Sequence, residues 1–314
     1  MTARARELLA QAVLAAALAL LAWYFVSNTA ANLEARRIAS GFAFLWREAG
    51  FEIGETAGLA YSAADSYLRA LAIGLANTFR IAVIGVVFAT VLGALLGLAR
   101  LSPNWLLAKL AAAYVELIRN VPLLVQLFFW YAVLSENLPG PAEALNPLPG
   151  VFLSNRGIFI PLPGSTPQLS GFNFSGGASL SPEFAALLLG LVTYTAAFIG
   201  EIVRAGILSV HRGQIEAAYS LGLARRAAMR FVILPQALRL IVPPMTSQYL
   251  NLTKNSSLAV AIGYPDLVSI ANTTINQTGQ AIEGIAIIMG VYLTISLSIS
   301  AFMNWYNRRV ALRG

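Results

Sequence analysis

The apolar stretch at about 240–262 carries polar side chains whose spacing suits the binding of a charged solute. Gln248, Asn251 and Asn255 follow one another at helical intervals and Lys254 stands beside them, so all four share one helix face. A lysine and hydroxyls can hold a carboxylate, and amide carbonyls can accept hydrogen bonds from an ammonium group. The same side chains can instead bond to neighbouring helices, so a solute path and a packing role both stay open. The candidate path residues here are Gln248, Asn251, Lys254, Asn255, Ser256 and Ser257.

A second candidate group lies in the apolar stretch at about 110–134. Glu116 and Arg119 stand three positions apart, so they can form an ion pair on one helix face. Pro122 follows and predicts a kink, because proline removes one hydrogen bond from the helix ladder. Gln126 lies one turn further on. Ionisable residues at membrane depth are costly unless they are paired or functional. The group is therefore either a salt-bridged hinge or part of a solute path.

Two further groups are expected to be structural. Glu201 and Arg204 repeat the three-residue spacing further along the chain, and a long arginine at a helix end can extend its charge into the interface. Gly85, Gly93 and Gly97 are expected to be sites of close helix packing.

The chain has few residues that could support catalysis or bind a metal. It has no cysteine and a single histidine, His211, which excludes a thiolate nucleophile and a disulfide framework and argues against a metal centre. It also lacks the G-x4-G-K-[ST] phosphate loop, the serine nucleophile elbow and the zinc-protease helix. We expect no catalysis and no bound cofactor on this chain.

The elements that carry these residues must be membrane helices. The chain has 314 residues, of which 58% are hydrophobic and only 11% charged, whereas a soluble domain has about 25% charged residues. The apolar stretches are continuous, and each can cross a hydrocarbon core of about 30 Å as a helix. The sequence predicts an all-α integral membrane protein with about six transmembrane helices. They lie at about 8–26, 71–99, 110–134, 184–203, 240–262 and 284–306.

The basic residues predict the orientation of these spans. With the N-terminus in the cytoplasm, thirteen of the 21 lysines and arginines fall on the inner side and four on the outer side. Both termini are therefore expected to be cytoplasmic. The net charge of +7 follows from topology, and the basic residues form no stripe with interleaved aromatics, so no nucleic-acid partner is expected.

The connections divide the chain into two predicted parts. Residues 1–67 comprise the first helix and an outer segment with a short surface helix at about 39–48, and residues 68–314 form the core. The outer connection 135–182 is rich in Pro, Gly, Ser and Asn, which favours an extended loop or a small cap. The inner connection 204–238 is basic and helix-forming. It predicts docking to a soluble partner; a positive-inside anchor or an amphipathic helix on the inner leaflet are the alternatives.

The inner connection contains the pattern E-A-A-x3-G-x9-I-x-L-P, from which Val232 is the one departure. Gly222 permits a turn between two short helices, and Pro235 is expected to end the second because it has no N–H for the ladder. Two alanines after Glu216 would permit close approach, and Glu216 would offer a charge to a basic partner. The candidate docking residues are Glu216, Ala217, Ala218, Leu221, Gly222, Phe231, Leu234 and Pro235.

This pattern resembles the signature loop of the membrane subunits of binding-protein-dependent ABC importers. Segments that begin at Tyr114, Glu201 and Leu252 are similar to motifs of polar amino-acid permeases. Outer segments at 38–51 and 152–161 resemble the first of two permease subunits in general L-amino-acid transporters of Gram-negative bacteria, which also serve glutamate, glutamine, aspartate and asparagine. The resemblance implies the type I ABC importer fold, a place in the bacterial inner membrane and ATP-driven import of polar L-amino acids.

The resemblance also implies partners. These are a dimer of ABC ATPase subunits at the 216–235 loop, a second homologous permease, a periplasmic amino-acid-binding protein and the lipid bilayer. The ATPase subunits, and not this chain, would hold ATP and magnesium. The alternative function is an ion-coupled secondary amino-acid transporter, but it has no use for this loop and we see no inverted repeat. An integral-membrane enzyme would need a nucleophile or metal cluster at membrane depth.

Overall fold

The computed structural model describes residues 3–35 and 40–310. The surface helix expected at about 39–48 begins outside these residues. Three of the basic residues counted above also lie outside them, namely Arg36, Arg37 and Arg313. The helices are α1 Ala3–Ala35, α2 Tyr67–Arg100, α3 Trp105–Asn120, α4 Leu123–Ser135, α5 Pro182–Leu208, α6 Arg212–Ser220, α7 Arg225–Ala228, α8 Leu234–Asn255, α9 Leu267–Thr278 and α10 Ala281–Val310. Short 3-10 turns cover Phe42–Trp46, Pro141–Glu143 and Ser256–Ile262, and a π-helical turn covers Met229–Ile233.

Five helical runs in the described chain are long and apolar enough to cross a membrane. They are α1, α2, α5, the run Arg225–Ile262 and α10, and the pair α3 and α4 makes a sixth if it is taken as one broken span. The prediction of about six transmembrane helices is therefore confirmed.

α2 and α5 pack closely at the centre of the bundle. A Cβ atom at Gly93 would lie 2.5 Å from the side chain of Ile199, and one at Gly97 would lie 2.7 Å from the carbonyl oxygen of Gly200. Both distances are shorter than real contacts, so only glycine permits this approach. The expected packing role of these two glycines is confirmed.

The third span is broken, where the sequence predicted a kinked continuous helix. α3 and α4 meet at an angle of 106°. Val121 adopts an extended conformation because it precedes Pro122, whose ring disfavours the helical region for the preceding residue. The Gln126 side chain then donates to the carbonyl oxygens of Ile118 (2.9 Å) and Val121 (3.0 Å). These bonds satisfy groups that the break leaves without helix partners.

The fifth span begins earlier than predicted. Pro235 does not end a helix: it lies in the first turn of α8, and the π-helical turn before it keeps the chain helical. A π turn shifts the bonding pattern by one residue, which makes room for a ring that otherwise clashes with the preceding turn. Pro243 and Pro244, expected to break the entry of this span, lie inside α8 on its exposed side. The buried face around Ile241 packs on α5 at Gly206 and holds the helix together there.

The outer connection folds into a small β cap. Antiparallel strands form a four-stranded sheet in the order β1-β2-β3-β6 and a two-stranded β4-β5 hairpin. Phe174 of the hairpin stacks on Phe152 at a ring-centroid distance of 4.6 Å and contacts Phe159. The small-cap alternative is confirmed, but its strands were not foreseen. They are β1 Leu145–Leu148, β2 Val151–Ser154, β3 Gly157–Ile160, β4 Gln168–Ser170, β5 Asn173–Ser175 and β6 Ala178–Leu180.

The segment 40–66 packs on the bundle at the same end as the cap. Its helical part is only the 3-10 turn Phe42–Trp46, in which Phe44 is buried against α2 and α9. α9 itself was missed by the sequence analysis, because its twelve residues are too short and too polar to stand out as a span. The division of the chain at residue 67 stays a prediction.

Candidate functional site

The connection between α5 and α8 forms two short helices around a glycine turn. His211 caps the start of α6, because its Nδ1 accepts from the Gly213 N–H (3.1 Å), and the helix ends at Ser220. Gly222 follows with φ +79°, and the N–H of Leu223 donates to the carbonyl of Ala218 at 3.1 Å. Helices commonly end with a residue in the left-handed backbone conformation, because the N–H groups at and after that residue can then bond to the last helix carbonyls. Glycine adopts this conformation without strain.

The predicted docking residues come together on this loop, and most of them are exposed. Leu221 is 83% exposed and Phe231 66% exposed, although both are apolar. Ala218 differs from the expectation, since its side chain is buried inside the loop and offers no surface to a partner. Glu216, Ala217, Leu221, Gly222, Phe231, Leu234 and Pro235 are exposed.

The loop is joined rigidly to the fifth span. The Gln236 amide at the start of α8 donates to Gln214 of α6 (2.6 Å) and to the Val232 carbonyl (2.9 Å). The helical run Arg225–Ile262 is continuous over 38 residues. One rod therefore carries Phe231 and Leu234 near one end and the polar face of α8 towards the other.

The polar face of α8 is directed away from the chain's own core. Asn251 and Lys254 are exposed, and Gln248 and Asn255 are half-buried. Within the described chain no hydrogen bond or ion pair engages these four side chains, so the bonds to neighbouring helices that the packing alternative needs are not made inside this subunit. The surface they form is open to another molecule.

The two serines that follow do not share this surface. The Ser256 hydroxyl is buried and donates to the Thr253 carbonyl at 2.7 Å, and the Ser257 hydroxyl donates to the Lys254 carbonyl at 2.8 Å. Both hydroxyls close the end of α8, where the helix tightens into a 3-10 turn. Their membership of the candidate path was inferred from sequence proximity, and the structure separates them from it.

The group around Glu116 is also rearranged. Glu116 and Arg119 are both exposed, and in the part of the chain that the structure describes they form no ion pair. The Arg119 guanidinium instead lies 5.0 Å from the ring centre of Phe198 on α5, a cation–π contact. The hinge is therefore built by Pro122, which is exposed, and by the buried amide of Gln126, without a salt bridge.

Glu201 forms the expected pair with Arg204 and a second one that was not foreseen. The Arg204 Nη2 atom lies 2.5 Å from Glu201 Oε1, and Arg100 at the end of α2 contacts the other carboxylate oxygen. The carboxylate joins the ends of α2 and α5 next to the α6–α7 loop, a structural role.

A polar cluster at the opposite end of the bundle escaped the sequence analysis. Glu55 of the outer segment pairs with Arg80 of α2 (2.5 Å) and accepts from the hydroxyl of Ser181 at the start of α5 (2.6 Å). Arg80 also lies 4.3 Å from the ring centre of Phe184. The cluster fixes the outer segment to both central helices. An isolated arginine in an apolar stretch was its only sequence signal.

Asp266 is a buried carboxyl between the fifth and sixth spans. Its Oδ1 accepts from the Ser269 N–H at 2.8 Å and caps α9. Burial raises the pKa of this carboxyl to about 7, because the charged form loses its hydration.

Both the sequence and the fold are similar to those of known transport proteins. The model of the family "Binding-protein-dependent transport system inner membrane component" matches residues 89–312. The chain is 46% identical to the putative amino-acid ABC transporter permease protein YhdX of Escherichia coli (strain K12), over 95% of this chain and 92% of that one. It is 41% identical to the general L-amino acid transport system permease protein AapQ of Rhizobium johnstonii, over 92% and 88%. A solved amino acid ABC transporter with histidines superposes with a TM-score of 0.59 at 28% identity, over 77% of this chain and 95% of that one.

Proposed function

The chain belongs to the family of inner-membrane components of binding-protein-dependent transport systems, and from this premise we propose that it is the permease subunit of an ATP-driven importer of polar L-amino acids. The relatives named above are amino-acid permeases, which supports the substrate class. The chain itself performs no catalysis; ATP and magnesium are bound by a separate ATPase.

The observation that carries the proposal is the single helical run Arg225–Ile262. It links an exposed apolar patch on the α6–α7 loop to a polar face at membrane depth. Exposed apolar side chains such as Leu221 and Phe231 are typical of a surface that a partner covers. A partner that moves the loop moves the polar face with it, since a continuous helix transmits displacement as a rigid element.

The polar face of α8 suits a zwitterionic solute. Lys254 would hold the carboxylate and the amide carbonyls of Asn251 and Gln248 the ammonium group. Burying a lysine in hydrocarbon without a partner costs about 2.5–3.5 kcal/mol on insertion scales. We infer that this face lines the translocation path at the contact with a second, homologous permease, where water or substrate solvates the charge.

The assembly has two sides. The basic excess favours a cytoplasmic location for both termini and for the α6–α7 loop, where a dimer of ABC ATPase subunits would dock. The β cap would then lie on the periplasmic side and face the amino-acid-binding protein that delivers the substrate.

The proposal is tested by reconstitution. The chain is co-expressed with its second permease and the ATPase, purified, and placed in liposomes with the binding protein inside or outside. We expect ATP hydrolysis to rise when the binding protein carries an amino acid, and uptake to stop with an ATPase variant that binds ATP without hydrolysing it. Uptake driven by an ion gradient in the absence of the ATPase would establish the secondary-transporter alternative instead.

A further inference from the structure

A long apolar groove runs along the outside of the bundle between α2, α8 and α10. Its volume is about 650 Å³, and most of the lining side chains are apolar. Tyr249 closes its floor through a hydrogen bond of 3.0 Å between its hydroxyl and that of Thr90. We propose that the chain's own first helix, α1, packs antiparallel to α10 in this groove.

The wall that α10 presents is shaped for another helix. Gly290, Thr294 and Ser298 line the groove at four-residue intervals and are exposed. A Cβ at Gly290 would meet nothing within 4 Å, and the Thr294 hydroxyl is satisfied by the Gly290 carbonyl at 2.8 Å. Small residues at this spacing permit close approach of two membrane helices. A fluid lipid chain would not require this stripe of small residues, Gly290, Thr294 and Ser298, on α10.

α1 carries a matching face and has no partner in the structure. It is free of charge from 8 to 26, and all of its side chains that the structure describes are exposed. Small residues recur on one face at helical spacing, whereas leucines occupy the opposite face. The small face comprises Ala12, Ala15, Ala16, Ala19 and Ala22, with Leu8 and Trp23 at its two ends, and the opposite face comprises Leu14, Leu18 and Leu21.

The covalent connection brings α1 to this place. The Gly41 N–H donates to the buried carboxylate of Glu283 (2.6 Å), and the Gln280 amide donates to the Gly41 carbonyl (3.1 Å). Gly41 is thus fixed at the start of α10. Five residues lie between it and Ala35, the end of α1, and the six residue-to-residue steps from Ala35 to Gly41 span at most about 20 Å. The C-terminal end of α1 must therefore lie within about 20 Å of the N-terminal end of α10, as antiparallel packing of the two helices requires.

The small residues of α10 and the small face of α1 also lie at matching depths in the membrane. The apolar runs 8–26 and 284–306 have their centres at residues 17 and 295. Antiparallel alignment of these centres places Ala22 level with Gly290. It also places Ala19 within one residue of Thr294, and Ala15 within one residue of Ser298.

The position of the groove argues against the second permease as its occupant. Tyr249 and Thr253 line the groove, and they lie about half a turn of α8 away from the face that carries Asn251 and Lys254. If that face meets the second permease, as proposed above, the groove is turned towards the lipid. This step alone rests on the proposed function; the stripes and the connection do not.

Cysteine cross-linking in the assembled transporter tests the inference, since the native chain has no cysteine. The variant Ala19→Cys with Thr294→Cys should form an intrachain disulfide in native membranes under mild oxidation. Two matched controls should stay reduced. Leu21→Cys with Thr294→Cys uses the opposite face of α1, and Ala19→Cys with Leu293→Cys uses an exposed position on the far side of α10.

Each other outcome counts against the inference. Equal cross-linking in all three variants would show that α1 moves freely beside α10. No cross-link in any of them would place α1 elsewhere in the bilayer. A disulfide between co-expressed chains that carry only Ala19→Cys and only Thr294→Cys would show that a second copy's helix fills the groove. None of these readouts depends on transport, so a failure here is distinct from a failure of the proposed function.

Discussion

Among single residues, Gly222 has the sharpest constraint. Its φ of +79° favours glycine, although a Cβ there would meet nothing of this chain within 4 Å. Strain of about 1 kcal/mol is therefore the only cost of a small side chain inside the subunit. A larger effect on function must come from a partner at the loop.

We expect Gly222→Asp to abolish uptake while the chain still inserts in the membrane. The carboxylate would be desolvated at the ATPase contact, and ATPase association should weaken or hydrolysis should stop responding to the loaded binding protein. Gly222→Asn is the matched control, because asparagine tolerates the same backbone without a charge. Wild-type uptake and ATPase binding in the Asp variant would remove the loop from the coupling path.

Substitution of Lys254 tests whether the polar face of α8 takes part in transport. Lys254→Ala should leave assembly with the ATPase intact and lower uptake, because the face loses its only cation. Lys109→Ala is the control, since Lys109 is the chain's other lysine and is exposed on α3. Radiolabelled uptake at matched membrane levels is the measurement. If both variants transport like the wild type, Lys254 has no part in the path.

Asp266 gives the molecule a predicted pH dependence. Its folded-state pKa of about 7 lies above the ordinary value of 3.8. Between these values the folded chain holds a proton that the unfolded chain has lost, so the free energy of unfolding falls as pH rises and then levels off above about pH 7. Asp266→Asn keeps the helix cap and removes the titration. Thermal unfolding of the purified complex should show equal stability near pH 4 and a more stable variant near pH 8; parallel curves would contradict the assignment.

At the scale of elements, apolar runs sufficed to predict the spans, because each must satisfy its backbone within the bilayer. They did not predict how the spans end. The sequence predicts that each proline kinks, breaks or ends a helix, but the prolines of this chain have three different structural effects. Pro122 breaks a span, Pro235 begins a helix after a π turn, and Pro243 lies within α8 on its exposed side. Packing of the neighbouring helices decides between these outcomes, and one sequence does not display it.

The α3–α4 corner depends on one side chain. Gln126→Met keeps the length of the residue but removes its two bonds to the Ile118 and Val121 carbonyls. Ile118 and Val121 are half-buried, so each lost bond should cost about 0.5–1.5 kcal/mol. The melting temperature of the complex should fall accordingly. Gln11→Met, at an exposed position on α1, should leave it unchanged, and equal melting of the two variants would show that the corner does not need this amide.

At the scale of the whole molecule, the candidate site was only partly visible in the sequence. The candidate docking loop could be recognised because its residues are contiguous and follow a pattern. Glu55 and Arg80 were not connected, because 25 positions separate them and only the folded outer segment brings them together. Ser256 and Ser257 were placed on the path by proximity in sequence, whereas the tightening of α8 into a 3-10 turn directs their hydroxyls to the backbone.

The orientation of the whole molecule is the remaining prediction. α5 joins the β cap to the α6–α7 loop through 27 residues, which at 1.5 Å each separates the two by about 40 Å, enough to place them on opposite sides of a bilayer. The basic residues favour the side of the loop as the cytoplasmic side.

Phe172→Cys, at the exposed tip of the cap, should react with a membrane-impermeant maleimide in cells whose outer membrane is permeabilised and whose inner membrane is intact. Arg226→Cys should react only after the inner membrane is opened. Single-cysteine variants keep the comparison clean because the native chain has none. Labelling of Arg226→Cys from the periplasm would reverse the topology and separate the loop from any cytoplasmic ATPase.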